Sequence, residues 1–557
     1  MRKKIILKLF ILLLATLIVA GCWLPNMPVY VPPYVPTPPV FEAPPVNIDE
    51  TPSVAAPFQG RFTLRYEPAN SLNPIIALNR DNISITSLMY ESLFILNENL
   101  VALPLLCESW ETEDNIVFKF TIYPDIPMHD GSMLTADDVS YSIRQARNRG
   151  RHKNKLHSII STTSDGELTV TVTLDSPNAR FIRLMDIPII KVDSMDSSIP
   201  PGTGPYIFPY PDDLRLVRFT AHRDYAEMPL TTIFLRTAAD SELTELFDQG
   251  GLSLLWDDPT SAFDIRLNRD NEPRYYNTTT LQFLGFNANS TVLRDPDVRR
   301  AIGCGIDRQV IVERIMNVPR PAQTVASPVA ISPVFNLYDD EWERRSQDPL
   351  AEMGHLLERA GIQDYDADGF LEMYDGFGGP GIKFTLNFLV NIENSHKVAA
   401  TEHIATSLRQ VGFDINVRAL PWSEFIKALE EGRFDLFYGE IQLGADFDLS
   451  PLLLPGDNSI NYGRTANTSY RLSIQRFLAA STPEEVSIAG KELCDDIRTS
   501  APFVPILYKR HAIYTPLGVV SLGSITTDDL EPILVSPSQS GVFNYFHKWS
   551  IDLEMLT

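Results

Sequence analysis

Asp446 is the acid whose setting says most about chemistry. It follows a stretch that reads as a strand, comes after the small pair Gly444-Ala445, and lies among Leu443, Phe447 and Leu449. A carboxylate at the mouth of an apolar pocket can pair with a ligand ammonium, and desolvation strengthens that pairing. An Asp in such a place also commonly bonds turn backbone and caps a loop. Local chemistry leaves both roles open. A second acidic group runs Asp364-Tyr365-Asp366-Ala367-Asp368-Gly369, with Glu372 and Asp375 further on. Acids at positions 1, 3, 5, 9 and 12 with Gly at 6 match the spacing of oxygen ligands in a calcium loop. Position 12 is Asp rather than the bidentate Glu of such loops, and Phe377-Gly378-Gly379-Pro380 stands where an exit helix belongs. The segment therefore reads first as an Asp-rich surface turn and only second as a set of metal ligands. His396 and His403 would lie about 10 Å apart along a helix axis, too far to share one ion, so they read as a solvated helix face. No His-Glu-x-x-His, Gly-x-Ser-x-Gly or Gly-Lys-Ser/Thr phosphate-loop signature is present, which lowers the case for an enzyme.

The elements that must position Asp446 are legible around it. Residues 382–390 read as a strand, 396–411 as a helix ending at Gly412, and 413–420 as a strand. Ser423 is expected to cap a helix that runs through Glu431 and ends at Gly432, with a strand at 433–440. This alternation argues for a mostly parallel sheet covered by helices. Ligands of such sheets bind beyond the carboxyl ends of strands, which directs attention to Gln442 through Asp448. Earlier in the chain, 60–66, 116–123 and 168–174 alternate as strands. Thr135, with Asp138 three residues on, opens a helix through about Arg147. Asp295 and Pro296 supply a cap and a first-turn proline for another.

The N-terminus carries a different signal. Met1-Arg2-Lys3-Lys4 is basic, Ile5 to Ala20 is apolar apart from Lys8 and Thr16, and Val19-Ala20-Gly21-Cys22 follows. That is the grammar of an export signal, and the run is too short for a comfortable membrane span. Cys22 directly after small residues resembles the bacterial lipobox, which implies lipid attachment at Cys22 and cleavage before it. Residues 1–21 are then the signal peptide and 22–58 a lipidated spacer, with eleven prolines between Trp23 and Phe58. Extended at roughly 3.1 Å per residue, it would reach on the order of 100 Å.

Composition bounds the rest. The chain has 557 residues, 44% hydrophobic, with a formal net charge of −24. After signal and spacer, enough remains for two or three domains. The signal carries four cations and no acid, so the mature charge is about −28. That argues against nucleic acid and against the body lying on an anionic membrane. Cys107, Cys304 and Cys494 remain beside Cys22; an odd number cannot all pair, and buried thiols are expected.

Several segments then read together. Leu72-Asn73-Pro74, Tyr90-Glu91-Ser92-Leu93-Phe94 and Glu108-Ser109-Trp110-Glu111 come in order. Met128-His129-Asp130-Gly131-Ser132 with Leu134-Thr135-Ala136-Asp137-Asp138-Val139 is the most specific, followed by Gly202-Thr203-Gly204-Pro205-Tyr206. Phe286-Asn287-Ala288-Asn289, Asp297-Val298-Arg299-Arg300-Ala301-Ile302 and Gly305-Ile306-Asp307-Arg308 complete the set. From about residue 60 to 550 the chain resembles the family 5 extracellular solute-binding proteins, the oligopeptide- and dipeptide-binding lipoproteins of ABC importers. The resemblance implies an α/β, two-lobed periplasmic-binding-protein-like fold of type II, with an extra subdomain and a hinge between lobes. Lobe 1 would span 59–289, lobe 2 290–507, and 508–557 would return to lobe 1. The crossings would lie near Phe286 to Asn289 and Pro505 to Lys509. Asn287, Asn289, Gly204 and Tyr206 become cleft or hinge candidates.

In peptide-binding members a Trp-x-Ala/Gly-Asp stretch pairs its Asp with the peptide ammonium. Leu443-Gly444-Ala445-Asp446 matches it, with Leu443 where Trp is usual. The resemblance thus implies ligand contacts from Leu443, Gly444, Ala445, Asp446 and Phe447. The expected function is capture of a peptide in an interlobe cleft for import, without catalysis and without a cofactor. The partners are a peptide or other small solute and the permease and ATPase subunits of an ABC importer. A monomer is expected, touching the membrane only by its lipid, on the outer face of the cell membrane or in the periplasm. Relatives that bind nickel chelates, haem or sugars supply one alternative. A surface hydrolase with paired acids supplies another, and a peptide sensor a third.

Overall fold

The computed structural model describes residues 60–556 except 210, 262–264, 319–322, 344–345, 375, 377–380, 457–458, 466–467 and 527–531. The signal, the spacer, Cys22 and Asp375 therefore lie outside the described residues. Among the described residues no helix is long and apolar enough to cross a membrane.

Local signals near the N-terminus became elements. Thr63–Arg65 lies parallel to Thr232–Arg236, which continues antiparallel to Arg215–Arg218 and then Tyr206–Ile207. A second four-stranded sheet is antiparallel throughout, in the order Cys107–Glu113, Val117–Ile122, Thr169–Leu174 and Ile159–Ser164. Helix Ala136–Asn148 packs beside it and opens on the expected capping box, with the Thr135 N–H donating to Asp138 at 2.9 Å. Asp138 is fully buried and also accepts from the Val192 N–H at 2.8 Å. One acid thus starts the helix and pins the next segment to it.

The expected βαβ run is present as strand Leu386–Asn391, helix Ser395–Gln410, strand Ile415–Leu420, helix Trp422–Glu431 and strand Leu436–Gln442. Two details differ. Ile382–Lys383 leaves the expected strand and pairs instead with Glu372–Met373 in a small three-stranded sheet. Its two side chains are exposed, whereas Leu386, Phe388, Leu389 and Val390 are buried. The second helix starts at Trp422 with Pro421 at its N-cap, so Ser423 is not the cap. Gly432 ends it at φ 71°, a left-handed conformation that favours glycine.

These strands belong to a seven-stranded sheet that is mixed, not mostly parallel. Only Leu386–Asn391 with its neighbours Ile415–Leu420 and Leu436–Gln442 is parallel. The other pairings are antiparallel and centre on two long strands, Asn271–Phe286 and Phe503–Pro516. Packing is tight where the first meets Leu436–Gln442. Gly439 faces Phe283 and Gly285 faces Phe437 across the ladder. A Cβ on Gly439 would stand 2.5 Å from the Phe283 ring.

The two long strands carry the chain between two hydrophobic cores. One core region uses residues 62–276 and 512–556. The other uses 281–508, joined by Leu96 and Leu100. The handover coincides with a register shift between Asn277 and Leu281. There the hydroxyls of Thr278 and Thr279 stand in for ladder bonds. Thr278 Oγ1 donates to the Lys509 carbonyl at 2.8 Å, and Thr279 Oγ1 to the Leu443 carbonyl at 2.6 Å. The crossing is thus earlier than the expected boundary at residue 289, because residues 281–286 are already side chains of the second core.

Candidate functional site

The segment Leu443-Gly444-Ala445-Asp446 follows strand Leu436–Gln442 directly. The Leu443 N–H donates to the Thr279 carbonyl at 3.1 Å, which ties the segment to the crossing strand. All four residues line a cavity of about 370 Å³. Its opposite wall comes from the first lobe, from Arg151, His152, Asn154, Lys155, His157, Arg183 and Asp186, with Leu96 of the second core beside them. Gln539, from the C-terminal return, adds to the wall. The cavity therefore lies between the two lobes, beyond the carboxyl end of a strand. Phe447 is not on that wall. It is fully buried, with φ 58°, and packs against Phe335 and Tyr508.

Asp446 is 2% exposed. Its Oδ2 accepts from Asn178 Nδ2 at 2.8 Å, across the cleft. Its Oδ1 accepts from the Asp448 N–H at 3.3 Å, so it also caps its own turn. Burial, then the charge of Asp448, raises its pKa above the ordinary carboxylate value, against the Asn178 hydrogen bond. Asp448 goes the other way. Burial would raise it, but the hydrogen bond and charge of His157 hold it below its ordinary value. His157 responds in kind: burial would lower it, yet Asp448 holds it above.

Around these acids the lobes are stitched together. The Arg180 guanidinium donates to the carbonyls of Phe477 at 2.6 Å and Ala480 at 3.3 Å. It thus satisfies carbonyls at the end of helix Thr468–Ala479, where a cation is favoured. The Ala179 N–H donates to the Leu478 carbonyl at 2.8 Å. Near the crossing, buried Lys509 pairs with Asp258 and with Glu440, the latter at 3.2 Å. Burial would raise Glu440, but the charges of Lys509 and Lys397 pull it down to about 2.

The other expected cleft residues are elsewhere. Asn287 Nδ2 donates to the Phe434 carbonyl at 2.9 Å and the Gly432 carbonyl at 3.2 Å. Its Oδ1 accepts from the Asn289 N–H. Both asparagines thus shape a turn inside the second lobe rather than the cleft or the hinge. Gly204 packs against the Met89–Tyr90 backbone, where a Cβ would stand 2.3 Å from the Met89 carbonyl carbon. His129 Nε2 bonds the Gly204 carbonyl at 2.9 Å, and Tyr206 is buried with its hydroxyl on the Leu230 carbonyl. Gly204 and Tyr206 are therefore core supports of the first lobe, because a backbone approach this close leaves no room for a ligand.

Asp364, Asp366, Asp368 and Glu372 do converge, with ligand atoms within 4.8 Å of one another. Lys383 already lies against three of them, pairing with Asp368, with Asp366 at 3.1 Å and with Glu372 at 3.9 Å. Asp364 accepts from the Asp368 and Gly369 N–H groups. The geometry is that of an Asp-rich turn, and a cation would have to displace Lys383.

Comparison with known proteins agrees with this architecture. Residues 102–459 match the family described as bacterial extracellular solute-binding proteins, family 5 Middle. The periplasmic murein peptide-binding protein MppA of Escherichia coli is 23% identical over 73% of this chain and 79% of its own. The oligopeptide-binding protein AppA of Bacillus subtilis, solved with a nonapeptide, superposes with a TM-score of 0.64 at 17% identity, over 89% of this chain and 99% of that one. NikZ of Campylobacter jejuni, solved with Ni(L-His), gives a TM-score of 0.65 at 20% identity, over 88% and 99%. With a family match over most of its length and a two-lobed α/β fold shared with these structures, the chain belongs to the bacterial extracellular solute-binding proteins, family 5.

Proposed function

We propose that this protein is the lipid-tethered receptor of an ABC importer and captures a peptide in the cleft that Asp446 lines. The observation that carries the reading is the interlobe cavity itself. It sets a buried carboxylate against an opposing lobe, as capture of an ammonium group requires. On this reading the lobes are 60–277 with 510–556 and 281–508, hinged at Thr278 to Thr280 and beside Lys509. A solute that touches both walls binds the closed form more tightly and so drives closure. Peptide backbone groups would bond the walls, with water filling the space around side chains. Cys22 is the lipid-bearing residue, and the permease and ATPase subunits are the partners. A non-peptide solute is the second reading, favoured by Leu443 where peptide-binding members carry Trp. Mass spectrometry of whatever co-purifies in the cleft separates the two. Incubation with a peptide mixture tests the receptor against a hydrolase: intact peptide recovered with the protein supports capture, and cleaved products would overturn it.

A further inference from the structure

The acidic turn of the second lobe holds one oxygen that the turn itself does not use. Glu372 is fully buried, on the middle strand of the small sheet that it forms with Ile362–Gln363 and Ile382–Lys383. Its Oε2 accepts from the Tyr365 N–H at 2.8 Å. Its Oε1 is enclosed and accepts no hydrogen bond. A buried carboxylate oxygen left without a donor is costly. Among the described residues its cation neighbour is the Lys383 ammonium at 3.9 Å, which is beyond hydrogen-bond reach. The same ammonium lies against Asp366 and Asp368. The orphan oxygen therefore looks into the acidic cluster and not away from it.

Charge and spacing point the same way. Among the described residues, Lys383 is the cation that pairs with this cluster. Four carboxylates against one ammonium leave a negative excess that a divalent cation would answer. The Lys383 side chain is 60% exposed, such surface pairs are weak, and its long stem can swing into solvent. Oxygens on opposite sides of a calcium ion stand about 5 Å apart, twice a contact of roughly 2.3–2.6 Å. The ligand atoms of Asp364, Asp366, Asp368 and Glu372 lie within 4.8 Å of one another, inside that span. Magnesium suits the cluster less, because it keeps several waters and is usually held by one or two carboxylates.

We propose that Asp364, Asp366, Asp368 and Glu372 form a calcium site, in which the ion takes the place of the Lys383 ammonium and gives the buried Glu372 oxygen its partner. The three aspartates reach the ion from the turn and Glu372 from the strand, so the ion ties the turn to the small sheet. None of the four lines the interlobe cavity. The site is thus separate from the solute cleft, and its effect falls on the stability of the second lobe.

The test is calorimetric titration of calcium chloride into the purified, chelator-treated protein, with magnesium chloride titrated in parallel and melting followed in both salts. Wild type is expected to bind one calcium ion with a Kd of about 0.1–1 mM, the range of extracellular sites, and magnesium about tenfold more weakly or worse. Glu372→Gln keeps the shape and loses the charge, and should weaken calcium binding by about tenfold or more. Asp366→Asn, on the exposed turn, should weaken it too, which keeps the test informative if Glu372→Gln melts early in calcium-free buffer. Lys383→Gln removes the competing ammonium and should tighten calcium binding by about threefold or more. Calcium should raise the melting temperature of wild type and of Lys383→Gln, but not of Glu372→Gln. The proposal is overturned by a wild type that binds no calcium or binds magnesium equally well. It is overturned as well if both acid variants bind calcium like wild type, or if Lys383→Gln binds it no more tightly.

Discussion

His157 Nε2 lies 2.7 Å from Asp448 Oδ2, joining residues 291 positions apart and bridging the two lobes at the edge of the cleft. Both residues also line a second interlobe space of about 430 Å³, so the contact stands between two cavities.

The pair should make lobe closure depend on pH. His157 is raised above its ordinary value by Asp448, so its contribution is full below about pH 6.5 and is lost as pH rises through the raised value. Asp448 is lowered, so its contribution is full above about pH 4 and is lost as pH falls through the lowered value. His157→Gln should therefore destabilise the protein by about 1–2 kcal/mol in mildly acidic buffer, and by less as pH rises. Melting curves of both proteins across pH check this, and a constant gap would count against the clasp.

Asp446 should matter to ligand more than to fold. Asp446→Ala should weaken binding of a retained peptide by roughly 2–5 kcal/mol, mostly through faster release. Asp446→Asn keeps the shape and loses the charge, so it should weaken binding too. Calorimetric titration with free and N-acetylated forms of that peptide reads the effect. Equal affinity of wild type for both forms would remove the ammonium role.

Gly439 is needed for a different reason. Its missing side chain makes room for the Phe283 ring. Gly439→Ala should force that ring or the strand to move and cost about 1–3 kcal/mol, read as a lower urea midpoint with little change in slope.

Anchoring is tested at Cys22. Cys22→Ala should release the protein from the membrane fraction or leave it as an unprocessed precursor, since stable attachment needs more than one acyl chain. A mature-sized protein that stays with the membrane would contradict the tether.

The sequence carried the local elements well and the long-range ones poorly. The Thr135 and Asp138 box, Asp295 before Pro296 and Gly432 at its helix end are all short-range signals, and each sits where its chemistry placed it. The mixed sheet was not legible, because the pairing of Asn271–Phe286 with Phe503–Pro516 joins distant parts of the chain. The same limit applies to the site. Leu443 to Asp446 could be found from the strand before them. Asn178, Arg180, His157, Arg151 and Arg183 could not, since nothing near them in sequence says what they face. Asn287 enters as a candidate only through the crossing that the resemblance implies near residues 286–289, whereas its amide bonds the Gly432 and Phe434 carbonyls.

The core of the first lobe has a consequence for secretion. It is assembled from both ends of the chain: Phe62, Leu64 and Ile85 share it with Ile513, Phe543, Phe546 and Trp549. A polypeptide threaded through a translocation pore from its N-terminus would deliver those partners last. The early half would leave the pore with its hydrophobic face still open, and contacts this distant in sequence form slowly. The core of the first lobe therefore cannot close until residues 513–549 have emerged. The second lobe, whose core is built almost wholly from 281–508, can settle before its host is finished.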